Sequence, residues 1–307
     1  MTSELYKKYR PRLFKRVIGQ EGIVKTLSKM IKSETVPHTI LFSGPSGCGK
    51  TTLARILAKK LDCSNADLNE INCADFRGID MVRDIRDSSG LCALAGGNRV
   101  WIIDEAHQLS SQAQHAFLKL LEDTPSHVFF FLATTSPNKL LPTIRNRCTT
   151  FVVKELSTEL LETLVDSICK KEQITLGTDA KEKLIEIAEG SPRKALVLLD
   201  QVRHTTEDNQ LSLLESSDTR HQAIELARAL IRPNSSWNTV AKILKEVEED
   251  PESLRWMILG YARTVLLGGG NLSDRAYLII ECFREPFYDS KAAGLTAACW
   301  EVMKGIE

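Results

Sequence analysis

The run His38-Thr39-Ile40-Leu41-Phe42-Ser43-Gly44-Pro45-Ser46-Gly47-Cys48-Gly49-Lys50-Thr51 decides the fold. His38 to Phe42 reads as a buried strand and Thr51 to Leu61 as a helix. Between them Gly44 to Thr51 fits G-x-x-x-x-G-K-T, the phosphate loop that joins a strand to a helix. Its small residues let successive backbone N–H groups turn inward around phosphates, and the helix N-terminus adds its dipole. The expected nucleotide contacts are Gly44, Pro45, Ser46, Gly47, Cys48, Gly49, Lys50, Thr51 and Thr52. Lys50 reaches the β and γ phosphates of ATP, and the Thr51 hydroxyl holds Mg2+.

Outward from this loop, Leu68 to Asn72, Val100 to Ile103, Val128 to Ala133 and Thr149 to Val153 are further strand candidates, spaced by longer segments. Near-continuous apolar strands of this kind predict an α/β domain with a parallel sheet covered by helices. Ser111 to Glu122 is one such helix, with Ala113, Ala116, Phe117, Leu120 and Leu121 at core-facing spacing. Val100-Trp101-Ile102-Ile103-Asp104-Glu105-Ala106-His107 ends a strand on two acids. Asp104 is the expected metal residue, acting through water, and Glu105 the residue that orients and polarises the attacking water. His107 reads as local structure or a relay. Thr134-Thr135 follows the next strand, where a hydroxyl can sense the γ-phosphate, because parallel strands end on the same side of the sheet. Arg145, Arg147 and Arg193 are candidate charge stabilisers, although arginines at helix starts are more often solvated or salt-bridged.

After Val153 the strand signals stop. Ser157 to Glu172, Thr178 to Glu189 and a third helix from Ser191 to about Val202 predict a small helical domain. Thr205 to Asp218 reads as a linker in which Leu211, Leu213 and Leu214 could form a short helix. Gln222 to Leu230, Ser236 to Glu249, Glu252 to Leu267, Ser273 to Phe283 and Ser290 to Met303 then predict a helical bundle for packing and oligomerisation. The 307 residues carry 40 basic and 40 acidic side chains. Contact with nucleic acid therefore needs a local basic surface. Charged residues make up 26% and apolar residues 43%, which excludes a disordered chain. No apolar run is long enough to span a bilayer and the start lacks a secretion signal, so the expected location is the cytoplasm with no membrane partner. The cysteines form no Cys-x-x-Cys pair, and no zinc site is expected.

Lys8-Tyr9-Arg10-Pro11, Ile18-Gly19-Gln20, the phosphate loop, Ile103 to His107, Leu118 to Glu122, Leu132 to Thr135 and Gly190-Ser191-Pro192-Arg193 together resemble the ATPase subunits of sliding-clamp loaders. These belong to the AAA+ family and include the bacterial gamma/tau subunit and the small subunits of replication factor C. The motifs cover residues 5–200. The resemblance implies an AAA+ nucleotide-binding domain over 1–155, a helical lid over 156–206 and a linker with an all-helical collar over 207–307. It implies a pentamer of this chain with its own copies and an accessory loader subunit. ATP-bound subunits hold a sliding clamp open on primer-template DNA, and hydrolysis releases it. Single-strand-binding protein is a further implied partner.

By the same resemblance Thr135 is the first sensor, Arg193 the lid sensor and Arg147 a catalytic finger that acts on ATP of the next subunit, while Arg10 and Pro11 border the adenine. Arg77, Arg83, Arg86 and Lys119 are the candidate contacts to DNA phosphates, each also readable as plain surface charge. Gln114 could link the DNA side to Glu105 or be a surface glutamine. Several features depart from the family. The four-cysteine zinc module is absent, Asn146 replaces the serine before Arg147-Cys148, which leaves Arg145 a rival finger, and no long C-terminal extension is expected. These departures suggest a divergent or virus-encoded subunit. The rival readings are a non-hydrolysing scaffold subunit, a branch-migration motor and a metabolic P-loop kinase.

Overall fold

Five short strands line up side by side in the computed structural model, which describes residues 4–76, 78–93, 97–216, 219–232, 235–246 and 250–305. They are β1 (Thr39–Ser43), β2 (Leu68–Asn72), β3 (Arg99–Asp104), β4 (Val128–Thr134) and β5 (Thr149–Val152). All pair in parallel, in the order β2-β3-β4-β1-β5. The central β4 is buried at every position, whereas the edge strand β5 alternates half-buried and exposed residues. Alternation along each strand divides the core into two layers. Leu41, Trp101, Ile103, Phe130 and Leu132 pack on one face with Phe117. Ile40, Phe42, Val100, Ile102 and Phe131 pack on the other with Leu53 and Leu57.

The register sets the site. Ser43 stands opposite Thr134 and Asn72 opposite Asp104, while Ile103 faces Leu132. The C-terminal ends of β1, β3 and β4 therefore share one edge, the usual place for a ligand in a parallel sheet.

Helices flank this sheet with local start signals. Ser110, Ser157 and Ser191 cap the helices Ser111–Glu122, Thr158–Glu172 and Pro192–Val202 by accepting from the N–H groups of Ala113, Leu160 and Lys194. Such caps occupy donors that the first turn leaves unpaired. Thr178–Ala188 completes a three-helix lid after the sheet. The helices Leu5–Lys8, Glu21–Lys32, Ile79–Ser89 and Pro142–Arg147 are additional elements that the apolar pattern did not mark out. In the polar segment from Thr205, the helix Glu207–Ser216 contains Leu211, Leu213 and Leu214, the residues whose spacing allowed a short helix.

The chain divides into two compact units, Met1–Glu207 and Asp208–Glu307. In the second, the helices Thr219–Ile231, Trp237–Glu246, Pro251–Gly268, Ser273–Cys282 and Lys291–Lys304 surround Leu226, Leu230, Leu254, Ile258, Ile279, Phe283 and Val302. A buried pair crosses this core. Arg255 Nη2 lies 2.6 Å from Glu252 Oε1, Arg255 Nη1 donates to the Phe283 carbonyl at 2.9 Å, and Glu252 Oε2 accepts from the Phe287 N–H at 2.8 Å. Among the described residues no helix is long and apolar enough to cross a membrane.

Candidate nucleotide site

β1 ends at Ser43 and the chain turns through Gly44 and Gly47, with φ of 145° and 76°. A Cβ on Gly44 would lie 2.1 Å from the Val153 carbonyl oxygen, and one on Gly47 would lie 2.3 Å from Ser191 Oγ. Neither conformation nor space admits a side chain. The loop delivers Lys50, 6% exposed, to the first turn of the helix Lys50–Lys60. Its Nζ donates to the carbonyls of Gly44 at 2.9 Å and Pro45 at 2.8 Å. Burial lowers the Lys50 pKa, opposed by the charges of Glu105 and Asp104.

Thr51 Oγ1 donates to Asp104 Oδ2 at 2.7 Å, joining this helix to the end of β3. Asp104 Oδ1 accepts from the Glu105 N–H at 3.0 Å. Glu105 adopts the left-handed conformation, φ 50° and ψ 42°, uncommon for a residue with a Cβ. Its Oε2 lies 3.3 Å from His107 Nδ1, and the same nitrogen lies 3.1 Å from Thr134 Oγ1. The His107 side chain is 7% exposed. Thr134 Oγ1 also accepts from the Ser136 N–H at 3.1 Å. His107 is thus a buried link between Glu105 and the end of β4.

A pocket opens beside the loop. Its lining combines Ser46 to Thr52, Asp104 and Glu105 with Tyr6, Tyr9, Arg10, Pro11, Val17 and Ile18 from the N-terminal segment and Leu156, Leu164, Pro192, Arg193 and Leu196 from the lid. Burial lowers the Arg10 pKa, and the neighbouring charge of Arg55 and, more weakly, Arg193 pushes the same way against Glu70. Lys50, Arg10 and Arg193 therefore bring positive charge to a cavity whose other wall is apolar. That combination fits a polyphosphate attached to an aromatic base. The oxygens of Thr51 and Asp104 fit a hard divalent cation such as Mg2+.

Residues 40–156 match the family model described as ATPase family associated with various cellular activities (AAA). This chain carries an AAA ATPase domain. It is homologous to DNA polymerase III gamma/tau subunits. The Mycoplasma pneumoniae gamma/tau subunit is 34% identical over 239 residues, 71% of this chain and 35% of that one. The Bacillus subtilis tau subunit is 34% identical over 290 residues, 86% and 51% of the two chains, and the Escherichia coli tau subunit is 35% identical over 257 residues, 75% and 40%. The chain spans about half or less of the length of these curated relatives. The Thermotoga maritima RuvB Holliday junction branch migration motor shares the fold, with a TM-score of 0.56 at 21% identity over 81% of this chain and 84% of that one.

The expected residues separate. Lys50, Thr51, Thr52, Asp104, Glu105, Arg10, Pro11 and Arg193 meet at the pocket, whereas Thr135 is half-buried and outside its lining. Arg147 is also outside it, at the end of the helix Pro142–Arg147. There it pairs with Glu122 and donates from Nη1 to the Thr143 carbonyl at 3.1 Å. Arg145 is half-buried, with Nε lacking a partner. Gln114 is no surface glutamine. It is 5% exposed, its Nε2 donates to the carbonyls of Leu109 and Lys139, and its Oε1 accepts from the Leu141 N–H.

Arg83 and Arg86 share the exposed side of the helix Ile79–Ser89, beside Asp80 and Asp87 respectively. Lys119 is exposed, and Arg77 lies outside the described residues. Sequence reasoning missed Tyr6, Val17, Leu156, Leu164 and Leu196 of the apolar wall. Scattered over three segments, they form no motif. Tyr9 was legible only as part of the motif Lys8-Tyr9-Arg10-Pro11.

Proposed function

We propose that this chain is the ATP-hydrolysing subunit of a clamp loader, which opens a sliding clamp and loads it onto primer-template DNA. The observation that carries this reading is the meeting of Lys50, the Thr51–Asp104 pair and Glu105 at one pocket in a chain homologous to DNA polymerase III gamma/tau subunits. Lys50 binds the β and γ phosphates, exchanging the loop carbonyls for phosphate oxygens. Thr51 and Asp104 hold Mg2+, which when bound neutralises charge on the phosphates. Glu105 orients and polarises water for attack on the γ-phosphate, with His107 and Thr134 behind it, and Thr135 or Thr134 reports the γ-phosphate from β4.

A second subunit completes the site. Arg147 is 38% exposed and sits on a surface helix, where it would exchange Glu122 and the Thr143 carbonyl for ATP of the next copy, while Arg145 is half-buried. Placing the finger and the phosphate loop on different subunits makes hydrolysis depend on assembly, because a displaced guanidinium cannot stabilise transition-state charge. We assign residues 1–155 to the nucleotide-binding domain, 156–206 to the lid and 207–307 to a collar that joins copies of this chain and an accessory subunit in a cytoplasmic pentamer. Arg77, Arg83, Arg86 and Lys119 would grip DNA phosphates inside it, a mode indifferent to base sequence.

Reconstitution with an accessory subunit, clamp, single-strand-binding protein and primed DNA tests this function. Primed DNA and clamp should raise ATP turnover and clamps should be loaded; no loading and unchanged turnover would sink the proposal. Glu105→Gln should retain nucleotide and clamp binding while turnover drops by at least about 100-fold. Arg147→Ala should bind ATP normally and lose most of its response to DNA.

A further inference from the structure

Arg193 follows Pro192 at the start of the lid helix Pro192–Val202, and its Cβ stands 3.1 Å from the place a Cβ on Gly47 would occupy. Its side chain therefore begins beside the phosphate loop. Its guanidinium carbon lies 5.0 Å from the centre of the Tyr6 ring, inside the range of a cation–π contact. Among the described residues no side-chain hydrogen bond or salt bridge engages it. An aromatic face attracts a guanidinium without consuming its N–H donors or neutralising its charge, as a carboxylate would. Tyr6 and Arg193 both line the nucleotide pocket.

Tyr6 is itself fixed to the lid. The adjacent Leu5 is fully buried, and its N–H donates to Asp200 Oδ2 at 2.8 Å on the helix that carries Arg193. On its other side, Lys8 Nζ lies 2.6 Å from Glu172 Oε1, and the Tyr9 hydroxyl donates to the same carboxylate. The segment Leu5 to Tyr9 is thus strapped to two lid helices, and Tyr6 and Arg193 ride on one body.

We propose that Tyr6 is a positioning residue for Arg193, its ring holding the guanidinium at the pocket with all donors free for the third phosphate of ATP. This inference rests on the nucleotide site proposed above. An unsupported arginine surrenders rotamer freedom when it meets its ligand, and a platform removes part of that loss beforehand. Tyr6 therefore contributes to the preference for triphosphate over diphosphate, in addition to any contact with the base.

Titration of the full chain with a slowly hydrolysed ATP analogue and with ADP tests this assignment. The variants are Tyr6→Leu, Tyr6→Phe, Arg193→Ala and the Tyr6→Leu/Arg193→Ala double substitution. Tyr6→Leu should weaken binding of the ATP analogue roughly three- to tenfold more than it weakens binding of ADP, a range set by a cation–π contact of intermediate exposure. Tyr6→Phe, which keeps the ring and loses the hydroxyl, should restore most of the preference. Added to Arg193→Ala, Tyr6→Leu should have no further effect on the ATP analogue.

Equal losses for both nucleotides, or a Tyr6→Leu effect undiminished without Arg193, would make the ring a wall of the base pocket and overturn the assignment. So would an Arg193→Ala chain with unchanged preference. Wild-type chain that binds neither nucleotide would instead remove the function proposed above, and this inference with it.

Discussion

Thr134 and Thr135 are neighbours with different surroundings. Thr134 is fully buried, with its hydroxyl between His107 Nδ1 and the Ser136 N–H, whereas Thr135 is half-buried beyond the strand. Thr134→Val keeps the shape and takes a partner from the His107 ring and from the part-buried Ser136 N–H, so it should lower stability by about 1–3 kcal/mol and also slow turnover through Glu105. Thr135→Val should stay within about 0.5 kcal/mol of wild type and lower turnover alone. Denaturant melts beside steady-state ATPase rates separate the two. A stable Thr134→Val chain with full turnover would dismiss the buried link.

Among the elements, the helix Ser111–Glu122 shows how one side chain can organise its surroundings. Gln114 ties it to the carbonyl that precedes the helix at Leu109, to Lys139, and to Leu141 at the start of the helix that ends in Arg147. Its amide satisfies three backbone groups, the Leu109 carbonyl buried and the Lys139 carbonyl and Leu141 N–H part-buried. Gln114→Ala should therefore cost about 2–3 kcal/mol, as expected when buried backbone groups lose a partner. Gln114→Leu should not recover it, because the missing quantity is hydrogen bonding and not volume. A midpoint shift in urea measures the effect, and a loss below about 0.5 kcal/mol in both variants would show that water replaces the amide fully.

At the scale of the molecule the two units differ in what holds them. The first is built on a parallel sheet, while the second encloses the ion pair of Glu252 and Arg255 within helices. Hydrogen bonds from Arg255, then from the Phe287 N–H, hold the Glu252 pKa below its usual value against the effect of burial. A carboxylate with a depressed folded pKa binds fewer protons than in the unfolded chain. Its contribution is therefore complete above the ordinary carboxylate range and is lost as pH falls through the folded value. Urea melts followed through tryptophan fluorescence in a Trp101→Phe background, where the remaining tryptophans all lie in the second unit, from neutral pH to about pH 3, should show a loss in that unit that Glu252→Gln makes shallower. An unchanged acid slope in that variant would assign the loss to other carboxylates.

Sequence by itself determined the sheet, the phosphate loop and the acidic pair. Apolar runs such as Val128 to Ala133 have few alternatives to a buried strand, and the spacing from Gly44 to Thr51 carries its own chemistry. It also announced the lid helices through Ser157 and Ser191. Local pattern did not reveal the helix Ile79–Ser89, whose charged surface obscures a narrow buried face of Val82 and Ile85, and it showed the helix inside the polar segment from Thr205 only through Leu211, Leu213 and Leu214.

Only the tertiary structure decided that Gln114 is buried, that Thr134 is the threonine joined to His107, and that Tyr6 meets Arg193. These relations depend on distances between segments up to 187 residues apart in the chain. The reason is physical: propensity and hydrophobic period act between near neighbours, while a hydrogen bond or a cation–π contact forms only after packing has fixed the partners' positions.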